Sequence, residues 1–131
     1  VSSAMEKIET IIQESDDLTI HKVIGEPSLK DLTDKLHDYF SGDKITNYII
    51  WDFRETTLSS FSNNEFQELA LLAKKYGAHR PQGKSAIVFS KDVDFGLARM
   101  LETFSELEKT AFSMRGFKNL NQALEWLGIT P

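Results

Sequence analysis

The sequence predicts an α/β protein: a five-stranded, mixed, mostly parallel sheet with an N-terminal β-hairpin and about four helices on its faces. Two observations support this prediction. Residues 48–53 and 85–89 are apolar runs without alternation, which is typical of strands covered on both faces. Amphipathic segments with capping signals separate these runs, and right-handed crossovers through such helices generate a parallel sheet.

The first elements form a predicted hairpin and a helix. Residues 7–13 and 18–24 are predicted as strands, joined by a polar turn at residues 14–17. Apolar and polar residues alternate along much of the second strand, a pattern that favours one face exposed to solvent. Ser28, with Asp31 three residues later, forms a capping box that begins the first helix.

The later elements continue the alternation of helix and strand. Ser62 begins the capping box of a second helix, and a third helix is predicted at residues 95–107. A weaker strand at residues 110–114 is expected at an edge of the sheet. Asn119 caps a final helix over residues 120–127, and the glycine that follows marks its end.

Length and composition favour one domain without metal or disulfides. The chain has 131 residues, a net charge of −5 and no cysteine, which excludes thiol nucleophiles and thiolate metal sites. The acidic balance argues against nucleic acid as a partner. No apolar run approaches the roughly 20 residues that span a bilayer, and no signal peptide is evident, so we expect a cytoplasmic protein. Residues 1–4 are expected to be a tag or a disordered start, and residues 5–131 a single domain.

Three segments resemble the SpoIIAA-like proteins of the bacterial STAS superfamily. Residues 84–100 resemble the strand-to-helix segment of that family, residues 115–128 its final helix, and residues 48–53 its central strand, which often ends in Asp as at Asp52. The resemblance covers residues 6–129 and implies the SpoIIAA-like fold. The superfamily includes anti-sigma-factor antagonists, transporter-associated regulatory domains and, by fold kinship, lipid binders. It therefore implies a regulatory or protein-interaction role, although many members have no assigned function.

The resemblance also raises the question of a phosphorylated serine. The antagonists carry an Asp-Ser-Ser-Gly-Leu-like stretch after the central strand, in which a serine is phosphorylated. Here that motif is absent and Phe61 occupies the acceptor position, with Ser60 and Ser62 on either side as candidate acceptors. The alternative for Ser62 is ordinary helix capping.

Charged and polar side chains are predicted to gather where the parallel strands end. In an open α/β sheet, ligands bind beyond the carboxyl ends of the strands. One interpretation is a face that binds a small ligand or a protein partner, and the alternative is mutual neutralisation of these charges at a polar rim. The candidate residues are Asp52, Arg54, Ser90, Lys91, Asp92 and Arg115.

The helix predicted at residues 95–107 has apolar side chains on more than one side. Phe95, Met100 and Phe104 could pack within the monomer, form a homodimer contact or cover a pocket for a small apolar or lipid-like ligand. No nucleotide-binding or hydrolase motif occurs, and the histidines lack metal-ligand spacing, so we expect no catalytic residues, no metal and no cofactor. The sequence thus favours a non-enzymatic regulatory or interaction domain, with a carrier of an apolar ligand as the alternative.

Overall fold

The computed structural model of the protein describes residues 8–58, 61–77, 80, 83–90 and 113–130. Within these residues the chain forms five strands and three α-helices. They are β1 (Ile8–Gln13), β2 (Leu18–Gly25), α1 (Leu29–Phe40), β3 (Tyr48–Thr56), α2 (Asn63–Gly77), β4 (Lys84–Val88), β5 (Ser113–Phe117) and α3 (Leu120–Leu127). The helix predicted at residues 95–107 lies outside the described residues, as do residues 1–4.

The strands form one sheet in the order β1-β2-β3-β4-β5. β1 is antiparallel to β2, and every other neighbouring pair is parallel, which confirms the mixed sheet and the N-terminal hairpin. The hairpin turns through a short 3-10 segment, Glu14–Asp16, followed by Asp17 in the left-handed region with φ of 53°. Aspartate is one of the few residues with a side chain that tolerates this backbone conformation.

Each face of the sheet has its own hydrophobic core. On the first face α1 and α2 pack over Ile49, Trp51 and their neighbours. On the second face α3 packs over Ile50 and Ala86. Because successive parallel strands advance in one direction across the sheet, right-handed crossovers place α1 and α2 on the same face. The helix after the last strand then covers the other.

The helix ends follow the capping signals in the sequence. Ser28 Oγ accepts the backbone N–H of Asp31 at 3.1 Å, and the Asp31 carboxylate accepts the N–H of Ser28 at 2.8 Å. At α3, Asn119 Oδ1 accepts the N–H of Gln122 at 2.8 Å, and Gly128 ends the helix with φ of 77°. Both caps satisfy backbone donors that a helix start leaves without partners, which confirms the predicted bounds.

Two strands differ from their predicted bounds in a way that moves candidate site residues. β5 covers Ser113–Phe117, so the strand predicted at residues 110–114 is placed about three residues too early. The side chains of β5 alternate between the two faces of the sheet, since Met114 is buried in the first core while Phe117 packs in the second, and this alternation explains the difference. β3 continues to Thr56. Arg115, Asp52 and Arg54 therefore lie within strands rather than after them.

The first face also contains a layer of buried polar side chains that the sequence pattern does not predict. The alternating apolar residues of β2 lie on the face that becomes exposed to solvent toward the end of the strand. Thr19 and His21 are fully buried on the other face. The hydroxyl groups of Thr19, Tyr39 and Thr46 bond to one another at 2.8 to 3.1 Å. Because these hydroxyls satisfy each other, the layer can be buried without unpaired donors at these three side chains.

Candidate functional site

Asp52 and Arg54 form a tightly bonded pair near the carboxyl end of β3. Asp52 is only 4% exposed. Its carboxylate accepts the Arg54 Nε–H at 2.9 Å and the Nη2–H at 2.8 Å, and one oxygen also accepts the Arg54 backbone N–H at 3.1 Å. Two parallel bonds between guanidinium and carboxylate are the strongest geometry available to this pair of side chains.

A β-bulge brings a second ion pair to the same place. β2 and β3 are in register where Lys22 opposes Asp52, but Ile24 opposes Glu55, so β3 carries one extra residue between these two levels. The extra residue moves Glu55 next to Lys22, whose Nζ lies 2.9 Å from the Glu55 carboxylate. Bulges near strand ends redirect side chains in this way. We call the four residues Lys22, Asp52, Arg54 and Glu55 the strand-end charge cluster.

The electrostatics of the cluster favour the charged forms of Lys22, Asp52 and Arg54. Burial alone raises the pKa of Asp52, but the hydrogen bonds and positive charge of Arg54 outweigh burial and bring the pKa below its ordinary value. The hydrogen bond from Lys22 to Glu55 raises the pKa of Lys22. At neutral pH these groups neither release nor accept a proton readily. Asp52 and Arg54 thus form an ion pair with each other, with 2.8 Å between Arg54 Nη2 and the Asp52 carboxylate.

The structure does not gather the other predicted residues around this cluster. Arg115 opposes Ala86 in the middle of β5, and its guanidinium lies 5.9 Å from the centre of the Phe117 ring. Two strand spacings of about 4.8 Å each separate β5 from β3, so Arg115 lies about 10 Å or more from Asp52. Ser90 is half-buried just beyond β4. Lys91, Asp92, Phe95, Met100, Phe104 and Ser60 lie outside the described residues.

Ser62 takes the capping role that the sequence offered as one of two interpretations. Its Oγ accepts the backbone N–H of Glu65 at 3.2 Å, and the Glu65 carboxylate accepts the Ser62 N–H at 2.9 Å. This reciprocal pair is a complete capping box at the start of α2. Phosphorylation of Ser62 stays a prediction, and it would require the hydroxyl to leave its capping bond.

We expect Ser62→Ala to lower the free energy of unfolding by about 1 kcal/mol, because the amide of Glu65 loses its acceptor. Ser62→Asp should restore most of this loss, since a carboxylate also caps a helix and favours its positive N-terminal end. Urea unfolding of the three proteins measures both changes. Equal stability of Ser62→Ala and the unaltered protein would show that the cap contributes nothing.

Part of the second face is left uncovered by α3. Ile11 on β1 and Ile24 on β2 are 43% and 42% exposed on this face. Ile11 opposes Ile20, and Glu9 opposes Lys22, so apolar and charged cross-strand pairs alternate along the two strands. We call Glu9, Ile11, Ile20, Lys22 and Ile24 the open sheet face. It adjoins the strand-end charge cluster through Lys22, which belongs to both.

The described residues line two open grooves, of about 620 Å³ beside Arg115, Phe117 and Trp126 and of about 440 Å³ beside His37 and Leu72, and one much smaller cavity. The cavity between α1, α2 and the sheet, lined by Leu36, Trp51 and Met114 among others, has a volume of about 30 Å³. This volume suits a water molecule rather than a lipid. Among the described residues no three His, Asp, Glu or Cys side chains are grouped as metal ligands. None of the described helices is both long and apolar enough to cross a membrane.

Comparison with known proteins gives a likeness in fold. No protein-family profile matches the chain, and no curated protein is significantly similar in sequence. The crystal structure of an uncharacterized protein of the DUF3478 family from Shewanella loihica PV-4, with a SpoIIAA-like fold, matches with a TM-score of 0.57. The match covers 97% of this chain and 98% of that one at 22% sequence identity. The topology and this match agree with the predicted resemblance: the chain has a SpoIIAA-like fold.

Proposed function

We propose that this protein is a non-enzymatic regulatory domain that acts by binding another protein through the open sheet face. The observation that carries the proposal is the pair of exposed isoleucines, Ile11 and Ile24, on a part of the sheet that the described helices leave uncovered. A bacterial, cytoplasmic setting is part of the proposal. It is suggested by the SpoIIAA-like fold, which is an argument by analogy.

The state of the strand-end charge cluster supports a role other than catalysis. General acid–base catalysis needs a group whose pKa lies near the working pH. The Asp52 carboxylate is instead bonded three times by Arg54, and its pKa is lowered away from neutral pH. Such a carboxylate stabilises its neighbour and the local backbone, which is what a rigid recognition surface requires.

The arrangement of the open sheet face suits a protein partner. Ile11 and Ile24 lie on the antiparallel hairpin, where a face exposed to solvent ordinarily carries polar side chains, so exposed isoleucines there need an explanation. Protein interfaces place apolar side chains at the centre and charged side chains at the rim. Ile11 and Ile24 supply the apolar positions, and the paired charges of Lys22 and Glu55 lie beside Ile24. The partner surface should therefore be apolar with a polar border.

The test is site-specific photo-crosslinking in cells of the native host. A benzophenone amino acid at position 24 should give a discrete adduct with one protein species, whereas the same group at Leu71 should not. Leu71 is a matched control because it is 67% exposed but lies on α2, over the opposite face. A second variant, Lys22→Glu, should abolish the adduct, since it repels Glu55 and alters the rim.

Two results would contradict the proposed function. One is the absence of any adduct from position 24 under conditions in which the protein is folded and abundant. The other is an adduct that forms equally from position 71 or persists unchanged in the Lys22→Glu variant. Either result would remove the open sheet face from consideration as a binding surface.

A further inference from the structure

The larger of the two open grooves lies on the second face, between α3 and the edge strand β5. Arg115 and Phe117 line it from β5, because they alternate with Met114 and so point away from the first core. Glu125 and Trp126 line it from α3. We call it the β5 groove. The open sheet face lies at the other end of the sheet, on β1 and β2, so the β5 groove is a separate surface.

Positive side chains outnumber negative ones around the β5 groove. Arg115 and Lys118 line it and are exposed, and Lys84 approaches it from the start of β4, with Nζ 5.1 Å from the centre of the Trp126 ring. Glu125 is the single carboxylate among the described residues that line the groove. No described carboxylate forms an ion pair with Arg115 or Lys118. Since the chain has a net charge of −5, the groove locally reverses the sign of the protein's charge.

Two aromatic rings give the β5 groove an apolar part beside these charges. The rings of Phe117 and Trp126 are half-buried, and their centres lie 5.5 Å apart. The Arg115 guanidinium lies 5.9 Å from the centre of the Phe117 ring. Half-buried rings keep part of their surface available for contact with an aromatic or aliphatic group. A ligand that matches the groove therefore carries negative charge next to an aromatic or other large apolar group.

We propose that the β5 groove binds an acidic peptide segment of another protein, in which carboxylates flank an aromatic or large apolar side chain. Arg115 and Lys118 bind the carboxylates, and an arginine can do so with two parallel hydrogen bonds. The apolar side chain packs against Phe117 and Trp126. This contact goes beyond the proposed function, because it adds a second binding surface at the opposite end of the sheet from the open sheet face.

The shape of the groove favours a peptide over a compact small molecule. Small-molecule sites are concave pockets that bury most of the ligand surface. The β5 groove is open instead, and the side chains of Arg115 and Lys118 are exposed. These two residues are three positions apart, so their Cα atoms are separated by up to about 10 Å. A peptide of about four to six residues is long enough to reach both cations and both rings.

The charge of the whole protein favours a short acidic peptide over nucleic acid. A nucleic acid carries one negative charge at every phosphate and extends beyond a groove of this size. It would then meet the surface of a chain that has 20 Asp and Glu against 15 Lys and Arg. A peptide with a few carboxylates ends where the positive charge ends. The carboxylate of Glu125 further disfavours a continuous run of negative charge along the groove.

Nuclear magnetic resonance of the ¹⁵N-labelled protein tests the proposal, because the chain has two tryptophans. The Trp126 indole lines the groove, whereas Trp51 is buried in the first core and serves as an internal control. The probe is a peptide with blocked termini, Gly-Glu-Asp-Phe-Glu-Asp-Gly. It should shift the indole N–H resonance of Trp126 in a saturable manner, leave that of Trp51 in place, and give a Kd on the order of 100 µM.

Matched peptides separate the two parts of the recognition. Replacement of the four acidic residues of the probe by Gln and Asn should raise the Kd about tenfold or more, because exposed cations lose their partners. Replacement of its Phe by Ala should raise the Kd about threefold or more, because the two rings lose their contact. A Kd that is unchanged by the loss of the carboxylates would overturn the proposal.

Charge reversal in the protein locates the site. Arg115→Glu and Lys118→Glu should each raise the Kd of the probe about tenfold. Lys74→Glu makes the same charge change at an exposed position of α2, over the first face, and should change the Kd less than about twofold. The dispersion of each spectrum shows that the variant is folded, so a loss of binding is not mistaken for unfolding.

Three results would contradict the assignment of this groove. One is the absence of a Trp126 shift at about 5 mM of the probe, some fifty times the expected Kd. The second is an equal loss of binding in Lys74→Glu, which would mean that the probe reads net charge alone. The third is a single-stranded oligonucleotide that shifts the same resonance at lower concentration than the probe. Because these variants leave the open sheet face intact, crosslinking from position 24 is an independent result.

Discussion

Between about pH 7 and pH 5 the protein is expected to lose about 2 kcal/mol of its free energy of unfolding through His21 alone. The imidazole is fully buried in β2. Burial, together with the positive charges of Lys35 and Arg80, lowers its pKa to about 3. In the unfolded chain the same group titrates near its ordinary pKa of about 6.5.

The sign of the effect follows from which state binds the proton. Between about pH 6.5 and pH 3 the unfolded chain holds a proton on His21 and the folded chain does not, so acidification favours unfolding. Stability from this group is complete above the unfolded pKa and declines as the pH falls toward the folded value. His21 Nδ1 is hydrogen-bonded to Thr10 Oγ1 at 2.9 Å, and no described residue forms a hydrogen bond with Nε2.

Urea unfolding at several pH values between about 7 and 5 measures the loss. His21→Asn keeps a polar atom near Nδ1 for Thr10 and removes the titration, so its stability should fall by about 2 kcal/mol less over the same range. His37→Asn, the same substitution at an exposed histidine of α1, is measured alongside. Parallel pH profiles for the unaltered protein and His21→Asn would contradict the assignment of the loss to His21.

The elements that the sequence predicts well are those with local signals. The capping boxes at Ser28 and Ser62 and the cap at Asn119 each lie within four residues of the groups they bond, and all three described helices begin where these signals occur. The apolar run at residues 48–53 predicts β3 from local sequence in the same way. Such signals depend on backbone chemistry within one turn, which a single sequence contains in full.

The buried polar layer could not be predicted because its bonds join distant segments. Thr19 bonds to Tyr39 and Thr46, which lie 20 and 27 residues further along the chain. Alternation in β2 marks Leu18 and Ile20 as the inward side, and Leu18 is indeed buried in the second core, but Thr19 and His21 are fully buried as well on the face that α1 covers. A sequence pattern orders side chains by polarity alone. It does not show which polar side chains will find buried partners.

Only the part of the candidate site that depends on local sequence position could be predicted. Asp52 and Arg54 are neighbours on one strand, so their pairing follows from sequence position. Lys22 and Glu55 join them through a bulge between two strands, and no local pattern marks that bulge. Arg115 was placed wrongly because the predicted end of its strand came three residues early. Errors in strand bounds move side chains along the sheet, and here they separate Arg115 from Asp52.

Arg80→Lys is expected to lower the free energy of unfolding by roughly 3 kcal/mol. Arg80 is 5% exposed, and its guanidinium spans two acceptors: Nη1 donates to the Asn47 carbonyl at 2.6 Å and Nη2 to Ser85 Oγ at 2.7 Å. The first bond reaches the segment before β3 and the second reaches β4. Gly83 permits this geometry, since a Cβ there would lie 2.7 Å from Nη1.

Lysine cannot replace this arrangement. Its ammonium is a single donor centre that cannot reach both acceptors, and it is more strongly hydrated than guanidinium, so it costs more to bury. Burial already lowers the pKa of Arg80, which shows that the site disfavours positive charge that is not well bonded. No carboxylate among the described residues lies within ion-pair distance of Arg80, so its hydrogen bonds, the Phe40 ring 5.8 Å away and the more distant charge of Asp17 compensate for its burial.

A double-mutant cycle separates these bonds from simple packing. Urea unfolding is measured for Arg80→Lys, Ser85→Ala and the double variant, with Arg115→Lys as an exposed arginine whose change should stay within about 0.5 kcal/mol. If the guanidinium holds β4 through Ser85, the sum of the losses in free energy of unfolding in the two single variants should exceed the loss in the double variant by about 1 kcal/mol. Strictly additive losses would mean that the bond to Ser85 contributes nothing measurable, and that the loss in Arg80→Lys comes from the bond to Asn47 and from the burial of an ammonium group.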